Sequence, residues 1–132
     1  MAVFENLEAA RAYFNDDRFA MENGMTIDEV GDGVGVCSMA ITDSHRNANG
    51  GVMGGAIFTL ADLASAVAAN NRHRPTVAQQ VSINFLSNTR ACRLIARASC
   101  RKDGRTTCVY NVDVTDDEGR DIAQAVVTGY KL

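Results

Sequence analysis

Hydrophobic residues near the start of the chain recur at helical spacing. Phe4, Leu7, Ala10 and Phe14 lie three or four positions apart, and a polar run at residues 15–17 follows them. Apolar residues at this spacing form a stripe along one side of a helix, and a polar run is typical of its end. The pattern predicts a short amphipathic helix over residues 4–14, packed on the outside of the fold.

The next segment, residues 24–42, alternates in the manner of β-strands. Two runs, MTIDEV and VGVCSMAI, flank a glycine-rich turn at residues 31–33, which is typical of a hairpin. Alternation gives Val34, Val36, Ser38 and Ala40 one shared face of the second strand. Residues 42–51 are polar and rich in asparagine and glycine, so they are expected to form a loop.

A long apolar segment follows this loop. From Gly54 to about Asn70 the sequence GGAIFTLADLASAVAAN predicts a helix that is apolar on nearly every side. Such a helix is expected to be surrounded by protein. Its glycine-rich start leaves backbone N–H groups that no bulky side chain covers.

The rest of the chain contains four strand candidates and no second long helix. They run over residues 77–85, 92–101, 106–115 and 121–131. Turn sequences at residues 102–105 and 116–119 join the last three into an antiparallel meander.

Side-chain alternation constrains the turn at residues 102–105. The apolar faces of its two flanking strands are Cys92, Leu94, Ala96, Ala98 and Cys100, and Cys108, Tyr110, Val112 and Val114. A two-residue Asp-Gly loop would put these faces on opposite sides of the sheet, because paired residues share a face. A longer loop, Lys102-Asp103-Gly104 with the glycine as a bulge, puts them together. We prefer this loop, which makes Cys100 and Cys108 neighbours on one face.

Length and charge narrow the class of protein. The 132 residues have room for one domain, which we assign to residues 1–132. A net charge of −3 and a pI near 5.3 provide no bulk attraction to nucleic acid. The N-terminal segment lacks the features of a signal peptide, and Asp62 interrupts the one segment that resembles a membrane span. We expect a cytoplasmic protein that binds neither nucleic acid nor membrane.

The four cysteines, at positions 37, 92, 100 and 108, have no metal-binding spacing among themselves or with the two histidines. We therefore expect no metal site and no cofactor. In a reducing compartment such cysteines are interpreted as small buried hydrophobic residues of the strands.

These elements predict an α+β fold in which about six antiparallel strands curl around one long central helix, with a short N-terminal helix outside. This is the hotdog arrangement. One long helix covers only one face of the sheet. We therefore expect a homodimer that extends the sheet, or a dimer of such dimers.

Asp62 is the only formal charge between Val52 and Asn71. Burying a lone carboxylate costs on the order of several kcal/mol unless it is protonated, paired or hydrogen-bonded. Asp62 is therefore either a structural hydrogen-bonding residue or a residue kept for chemistry. Likewise, Gly54 and Gly55 either allow close packing of helix on sheet or leave N–H groups for a ligand.

The run from Asn47 to Asp62, NANGGVMGGAIFTLAD, resembles the signature of hotdog-fold thioesterases of the phenylacetate-degradation type. That signature has an asparagine, then a histidine-glycine-glycine step, then Leu-Ala-Asp on the central helix. A strand end reading Asn-Phe-Leu at residues 84–86 adds to the likeness, which extends in weaker form over most of the chain. The resemblance implies an enzyme that hydrolyses acyl- or aryl-CoA thioesters.

The resemblance also implies roles for single residues. Asp62 is the base or nucleophile, the Gly54 N–H polarises the thioester carbonyl, and Asn47 orients water or substrate. Met53 stands where the family usually has histidine, and methionine cannot donate a hydrogen bond. Candidate substrate contacts are Met53, Gly55, Phe58 and Gln80. The family's serine or threonine on the strand after the helix has its counterpart at Ala78, Gln79 or Gln80.

Other candidate residues have ordinary interpretations. Phe58 and Leu63 are core residues that are also suited to line an acyl pocket. Four arginines are interpreted as solvated surface, with some of them suited to CoA phosphates: Arg72, Arg74, Arg90 and Arg93. His45 and His73 are interpreted as surface residues, and His45 is also a candidate for the imidazole missing at position 53.

Helix geometry separates the two main candidates. Eight residues at about 1.5 Å rise place Gly54 and Asp62 roughly 12 Å apart along the axis, too far to act on one carbon. The resemblance implies that Gly54 of one subunit faces Asp62 of another. The alternative function is a hotdog module that binds an acyl thioester with little or no catalysis. A hotdog dehydratase or hydratase is disfavoured because neither histidine fits its pattern.

Overall fold

A computed structural model describes residues 3–132 of the chain, and within this part three α-helices accompany one sheet. Helix α1 is Leu7–Phe14, α2 is Arg18–Glu22 and α3 is Gly54–Asn70. A 3-10 turn, Asp43–His45, lies in the loop before α3.

Six strands form the sheet: β1 Met25–Gly31, β2 Val34–Ala40, β3 Thr76–Phe85, β4 Arg93–Asp103, β5 Thr107–Asp116 and β6 Asp121–Lys131. Their order across the sheet is β1-β2-β4-β5-β6-β3, and each neighbouring pair is antiparallel. The sheet curls around α3, which contacts all six strands. The predicted arrangement of a curled sheet around one central helix is confirmed.

The helix approaches the sheet closely because small residues line the contact. A Cβ atom added to Gly35 of β2 would lie 2.6 Å from the Ala64 carbonyl oxygen and 2.9 Å from the Ala68 nitrogen. Ala96 and Ala98 of β4 are fully buried under the same helix. The helix backbone therefore rests on the sheet backbone at this point.

The N-terminal helix begins later than predicted. Asn6 caps it, because its side-chain oxygen accepts a hydrogen bond from the Ala9 N–H at 2.8 Å. Phe4 precedes the helix but still packs on Phe14, with the ring centroids 6.1 Å apart. Helix α2 was not predicted, because five residues are too few to show a helical period.

The apolar faces of β4 and β5 lie together, as predicted, but for a different reason. Cys100 is opposite Tyr110, and the pairing shifts by one residue between Cys100 and Lys102, so Arg101 is the bulge. Gly104 is not a bulge: its N–H donates to the Thr107 carbonyl at 2.9 Å, which closes a two-residue loop. The predicted loop was wrong, whereas the shared face was right.

The interpretation of the cysteines as buried holds only in part. Cys37 and Cys108 are buried and Cys100 is half-buried, whereas Cys92 is exposed. Cys92 lies in a bend before β4, where its N–H donates to the Asp117 side chain, so it does not share the β4 apolar face.

Helix α3 is not covered on all sides within one chain. A stripe along it stays at least partly exposed: Gly55, Phe58, Thr59, Asp62 and Ala66. The prediction that protein surrounds this helix is therefore wrong for the single chain, and so is the assignment of Phe58 to the core. Leu63, on the other side, is buried as predicted.

Candidate active site

A short loop fixes the start of α3. The Met53 N–H donates to the His45 carbonyl at 2.8 Å, and Arg46 and Val52 form an isolated bridge. Inside the loop the Asn47 side-chain oxygen accepts hydrogen bonds from the N–H groups of Asn49 and Gly51 at 2.9 and 3.1 Å. Asn47 therefore holds the loop that delivers the chain to the helix.

The first turn of α3 presents free donors. Among residues 3–132, the N–H groups of Gly54 and Gly55 have no hydrogen-bond partner, and no side chain caps the helix. Such groups carry the positive end of the helix dipole and favour an electron-rich oxygen. Gly54 and Asn47 line one cleft of about 340 Å³. Its wall includes Phe85, whose ring would lie 3.1 Å from a Cβ atom at position 54.

Asp62 lies in the middle of α3 on the partly exposed stripe. Within the described part of the chain its carboxylate takes part in no hydrogen bond or ion pair, although its backbone oxygen accepts from the Ser65 hydroxyl at 2.9 Å. Burial raises the pKa of this carboxyl, and the nearby carboxyl of Asp17 raises it further. A raised pKa makes the carboxylate a stronger base than an ordinary aspartate once it is ionised.

Asp62 borders two spaces of different size. A cavity of about 20 Å³ extends inward between α3, β3, β5 and β6. A cleft of about 300 Å³ opens toward α2 and is lined by Asp17, Arg18, Phe19, Ala20, Thr59, Asp62 and Leu63. Neither space is lined by Gly54 or Asn47. Within one chain, therefore, the structure does not bring the three predicted catalytic residues into one pocket.

The predicted substrate-binding residues lie in three places. Met53 and Gly55 are exposed at the start of α3, and Phe58 follows them one turn later on the exposed stripe. Gln80 is exposed on β3 just after a bulge at Gln79. It does not line the spaces beside Asp62. Of the three candidates on this strand, only Ala78 does.

The interpretation of His45 as a surface residue is wrong. Its side chain is buried, and both ring nitrogens have backbone partners: Nδ1 accepts from the Thr42 N–H at 3.0 Å and Nε2 donates to the Asn23 carbonyl at 2.8 Å. With these partners Nδ1 is the acceptor and Nε2 the donor of the ring. His45 thus joins the end of α2 to the loop before α3, which leaves no nitrogen for catalysis.

Two of the four arginines are not simply solvated. Arg72 pairs with Asp32 at 3.1 Å and with Asp103 at 3.5 Å. Arg74 lies over the Phe4 ring at 4.0 Å. Arg90 is exposed in a polar cleft beside Asn88 and Thr89, which also border the Gly54 cleft.

Sequence reasoning missed the residues that face Asp62 from α2 and β5. Asp17 immediately precedes α2 and Phe19 lies in it, and this helix is too short to show a period. Tyr110 was identified only as a core residue, yet its buried hydroxyl lacks a hydrogen-bond partner within residues 3–132. Burial raises the pKa of that hydroxyl. Alternation predicts that such a side chain points inward but does not predict what surrounds its polar atom.

Residues 3–132 lack two features that would point to other classes of protein. No three histidine, cysteine, aspartate or glutamate side chains lie close enough together to hold a metal ion. No helix in this range is both long and apolar enough to span a bilayer.

The fold and the signature on α3 define a class of protein. The family model described as Thioesterase superfamily matches residues 49–123, more than half of the chain. The matched region includes α3 with Asp62 and three complete strands, β3, β4 and β5. The chain belongs to the thioesterase superfamily and has the hotdog fold, as its resemblance implied.

Particular relatives narrow this class. The acyl-coenzyme A thioesterase PaaI of Escherichia coli K12 is 31% identical over 115 residues, which cover 86% of this chain and 82% of that protein. The structure of E. coli PaaI, from the phenylacetic acid degradation operon, matches with a TM-score of 0.88 and 29% identity. That match covers 93% of this chain and 90% of the other.

Two streptococcal structures hold ligands. A hypothetical thioesterase of Streptococcus pneumoniae TIGR4 with coenzyme A has a TM-score of 0.81 and 32% identity, covering 89% of this chain and 94% of that one. A Streptococcus mutans protein bound to acetyl CoA has a TM-score of 0.77 and 30% identity, covering 81% and 87%. Structures of the S. pneumoniae protein also exist with alanine in place of an aspartate or a threonine.

Proposed function

We propose that this protein hydrolyses an acyl- or aryl-CoA thioester to the free acid and CoA. Asp62 acts as general base or nucleophile, and the Gly54 N–H of a second subunit polarises the carbonyl. The observation that carries the proposal is a pair of unsatisfied groups of the required kinds. These are a carboxylate without a partner beside a cleft, and free N–H groups at a helix start.

The reaction needs these two kinds of group on opposite sides of one carbonyl. In the base mechanism Asp62 takes a proton from water while the water oxygen bonds to the carbonyl carbon. Negative charge then develops on the carbonyl oxygen, where N–H donors stabilise it. The C–S bond breaks as the tetrahedral intermediate collapses, and the proton is passed to the departing CoA thiolate.

A second subunit is the natural source of the missing donor. Asp62 and Gly54 lie roughly 12 Å apart along one helix, by the usual rise of about 1.5 Å per residue. The exposed stripe of α3 lies near β3, an edge strand of the sheet with Val77 and Phe85 exposed. Pairing two β3 edges would cover these surfaces and bring two α3 helices side by side. Such a homodimer can pair again as a dimer of dimers.

The relatives support CoA thioesters as the substrate class. One is named an acyl-coenzyme A thioesterase, and two solved structures contain CoA or acetyl CoA. Asn47 lines the cleft at the start of α3. Its side-chain oxygen accepts hydrogen bonds from two N–H groups of the loop, which leaves its side-chain nitrogen for substrate or water. Met53, Gly55, Phe58 and Gln80 are proposed as contacts in the assembled site. The proposal includes the cytoplasmic location that the sequence predicts.

Ala78 is the position that we propose as the counterpart of the family's strand hydroxyl. The two substituted positions of the S. pneumoniae protein, an aspartate and a threonine, are sixteen residues apart. Sixteen residues after Asp62 is Ala78, which lines the small cavity beside Asp62. This chain therefore lacks a hydroxyl there as well as an imidazole at position 53.

A panel of acyl- and aryl-CoA thioesters tests the proposal, with wild type, Asp62→Asn and Met53→His assayed in parallel. We expect wild type to turn over at least one thioester and Asp62→Asn to lose about 100-fold or more in kcat, the usual scale for losing a general base. Met53→His is expected to retain or raise activity. No turnover by wild type across the panel would rule out the enzyme.

A second function, ligand binding with little catalysis, is favoured by one observation. Met53 is 52% exposed at the start of α3 and offers no donor where the family usually has an imidazole. In this case wild type would bind an acyl-CoA saturably without hydrolysing it, and Met53→His would create turnover. Calorimetric titration with the thioester, followed by analysis for free CoA, separates the two functions.

A further inference from the structure

We infer that the cleft between α2 and α3 is the acyl-binding pocket of this protein, that Phe19 makes it favour acyl groups larger than acetyl, and that Asp17 makes it disfavour anionic ones. The inference rests on the proposed function, because it assumes that the thioester carbonyl lies at Asp62.

Size decides between the two spaces that border Asp62. The inner cavity, of about 20 Å³, holds one water molecule or a methyl group. The cleft toward α2 is about 300 Å³, the lower end of the range typical of small-molecule pockets. An acyl group with an aromatic ring fits only the second space. The acyl chain must therefore leave Asp62 on the α2 side.

The wall opposite Asp62 is held in place. Helix α2 is anchored by the buried Ala20 and by the Asn23 carbonyl, which accepts a hydrogen bond from the buried His45 ring. The Asn23 side chain in turn donates to the Phe19 carbonyl at 2.8 Å. These contacts fix the backbone that carries Phe19.

Phe19 itself is 71% exposed, the largest exposed fraction among the large hydrophobic side chains of residues 3–132. An aromatic ring left in water on an anchored helix, at the rim of a cleft, has no packing role in the single chain. A ring stacked against an acyl group would bury this surface and gain about 0.5–1.5 kcal/mol beyond the area effect if the acyl group is also aromatic.

Charge around the cleft selects against anionic acyl groups. The charged groups that line it are Asp17 just before α2, Arg18 in α2 and Asp62 in α3. Asp17 is close enough to Asp62 to raise the pKa of the Asp62 carboxyl. An acyl group with a terminal carboxylate would meet both carboxyls and one exposed arginine, which leaves a net repulsion.

The test uses CoA ketones, which retain the carbonyl but have a methylene group before the sulfur and cannot be hydrolysed. Acetonyl-CoA and 3-phenyl-2-oxopropyl-CoA are titrated into wild type, Phe19→Ala and the control Val126→Ala, which removes an exposed apolar side chain from β6. We expect Phe19→Ala to weaken the phenyl ligand about tenfold and acetonyl-CoA by less than about twofold. Val126→Ala should change neither affinity.

A third ligand tests the charge preference. The carboxylate-ended ketone 5-(CoA-S-yl)-4-oxopentanoate should bind wild type more weakly than the phenyl ligand, and Asp17→Asn should strengthen its binding severalfold. Equal losses for both uncharged ligands in Phe19→Ala, or no loss, would overturn the inference even if wild type hydrolyses thioesters. Conversely, a loss confined to the phenyl ligand, in a protein that hydrolyses no thioester, would overturn the proposed catalysis but support the proposed pocket.

Discussion

Asp62 opposes folding at neutral pH. Burial raises the pKa of its carboxyl, and Asp17 adds to the rise. An acid whose pKa is higher in the folded than in the unfolded chain favours folding fully only below the unfolded pKa. This contribution is lost as the pH rises through the folded pKa. Because pH 7 lies above the unfolded pKa, the group is therefore a cost to the folded state there, which is expected where a residue serves chemistry rather than stability.

Asp62→Asn is accordingly expected to stabilise the protein at pH 7, by on the order of 1 kcal/mol, because it removes a half-buried charge without a partner. The gain should shrink toward pH 4, near the ordinary pKa of about 3.9 for an aspartate. Protonation then removes the charge of Asp62 in the folded wild type, so that wild type and variant differ little. Urea unfolding at both pH values measures the difference. Asp113→Asn, at an exposed position of β5, is the control and should show no such gain.

Asp17→Asn tests the coupling between the two carboxyls. The substitution removes the second cause of the raised Asp62 pKa, so the acid limb of the kcat/KM profile should move to lower pH. The limb should still lie at a higher pH than expected for an ordinary aspartate, because burial is the larger cause of the raised Asp62 pKa. The profile is measured with one thioester, beside Asp113→Asn. An unmoved limb would show that Asp17 does not act on the Asp62 carboxyl.

Ala78→Ser tests the missing strand hydroxyl. The cavity that Ala78 shares with Asp62 has room for one added oxygen atom. A hydroxyl there can orient water or the carboxylate, so we expect kcat to rise severalfold. The rise should vanish in the Asp62→Asn background, because the hydroxyl acts through the carboxylate. A rise that persists without Asp62 would contradict this role.

At the scale of elements, β2 and α3 approach each other closely at Gly35. Gly35→Ala would place a Cβ atom 2.6 Å from the Ala64 carbonyl oxygen. Backbone cannot move aside as a side-chain end can, so we expect a loss of about 1–3 kcal/mol in unfolding free energy. Gly31→Ala is the matched control, because its nearest contact, Val34, is at an ordinary 3.8 Å. Equal losses of unfolding free energy in the two variants would mean that α3 can move away from β2 at little cost.

Long helices and strands were predictable from the sequence, whereas short ones were not. The bounds of α3 and β6 agree with the prediction, because seventeen and eleven residues show their period clearly. Helix α2 and the buried His45 were missed, because tertiary contacts rather than sequence pattern hold them. The bulge was predicted at Gly104 but lies at Arg101, since alternation fixes the need for one extra residue and not its position.

At the scale of the whole molecule, the candidate site was predictable as a set of residues but not as a pocket. The resemblance to the family signature singled out Gly54 and Asp62 as candidates, and the helix rise showed that one chain cannot bring them together. The separate clefts at the two positions agree with that argument. How two subunits meet depends on surfaces such as β3 and the exposed stripe of α3, whose shape no periodicity specifies.

Subunit complementation tests the shared site. Gly54→Pro removes the N–H donor at the first helical position, where proline is well tolerated. Gly54→Ala is its control, because it makes the same new contact with Phe85 but keeps the N–H. We expect Gly54→Ala to retain much more activity than Gly54→Pro, and Gly54→Pro and Asp62→Asn to be nearly inactive alone.

Co-expressing Gly54→Pro with Asp62→Asn should restore activity. In a mixed dimer one site combines the intact Gly54 of one subunit with the intact Asp62 of the other, while the second site carries both substitutions. Random pairing makes about half of the dimers mixed, each with one working site, so about a quarter of wild-type kcat is expected. Thioester turnover by the purified mixture measures it. A mixture no more active than its two parents would mean that each chain contains a complete site, in which case the donor to the carbonyl must be sought within the cleft that contains Asp62.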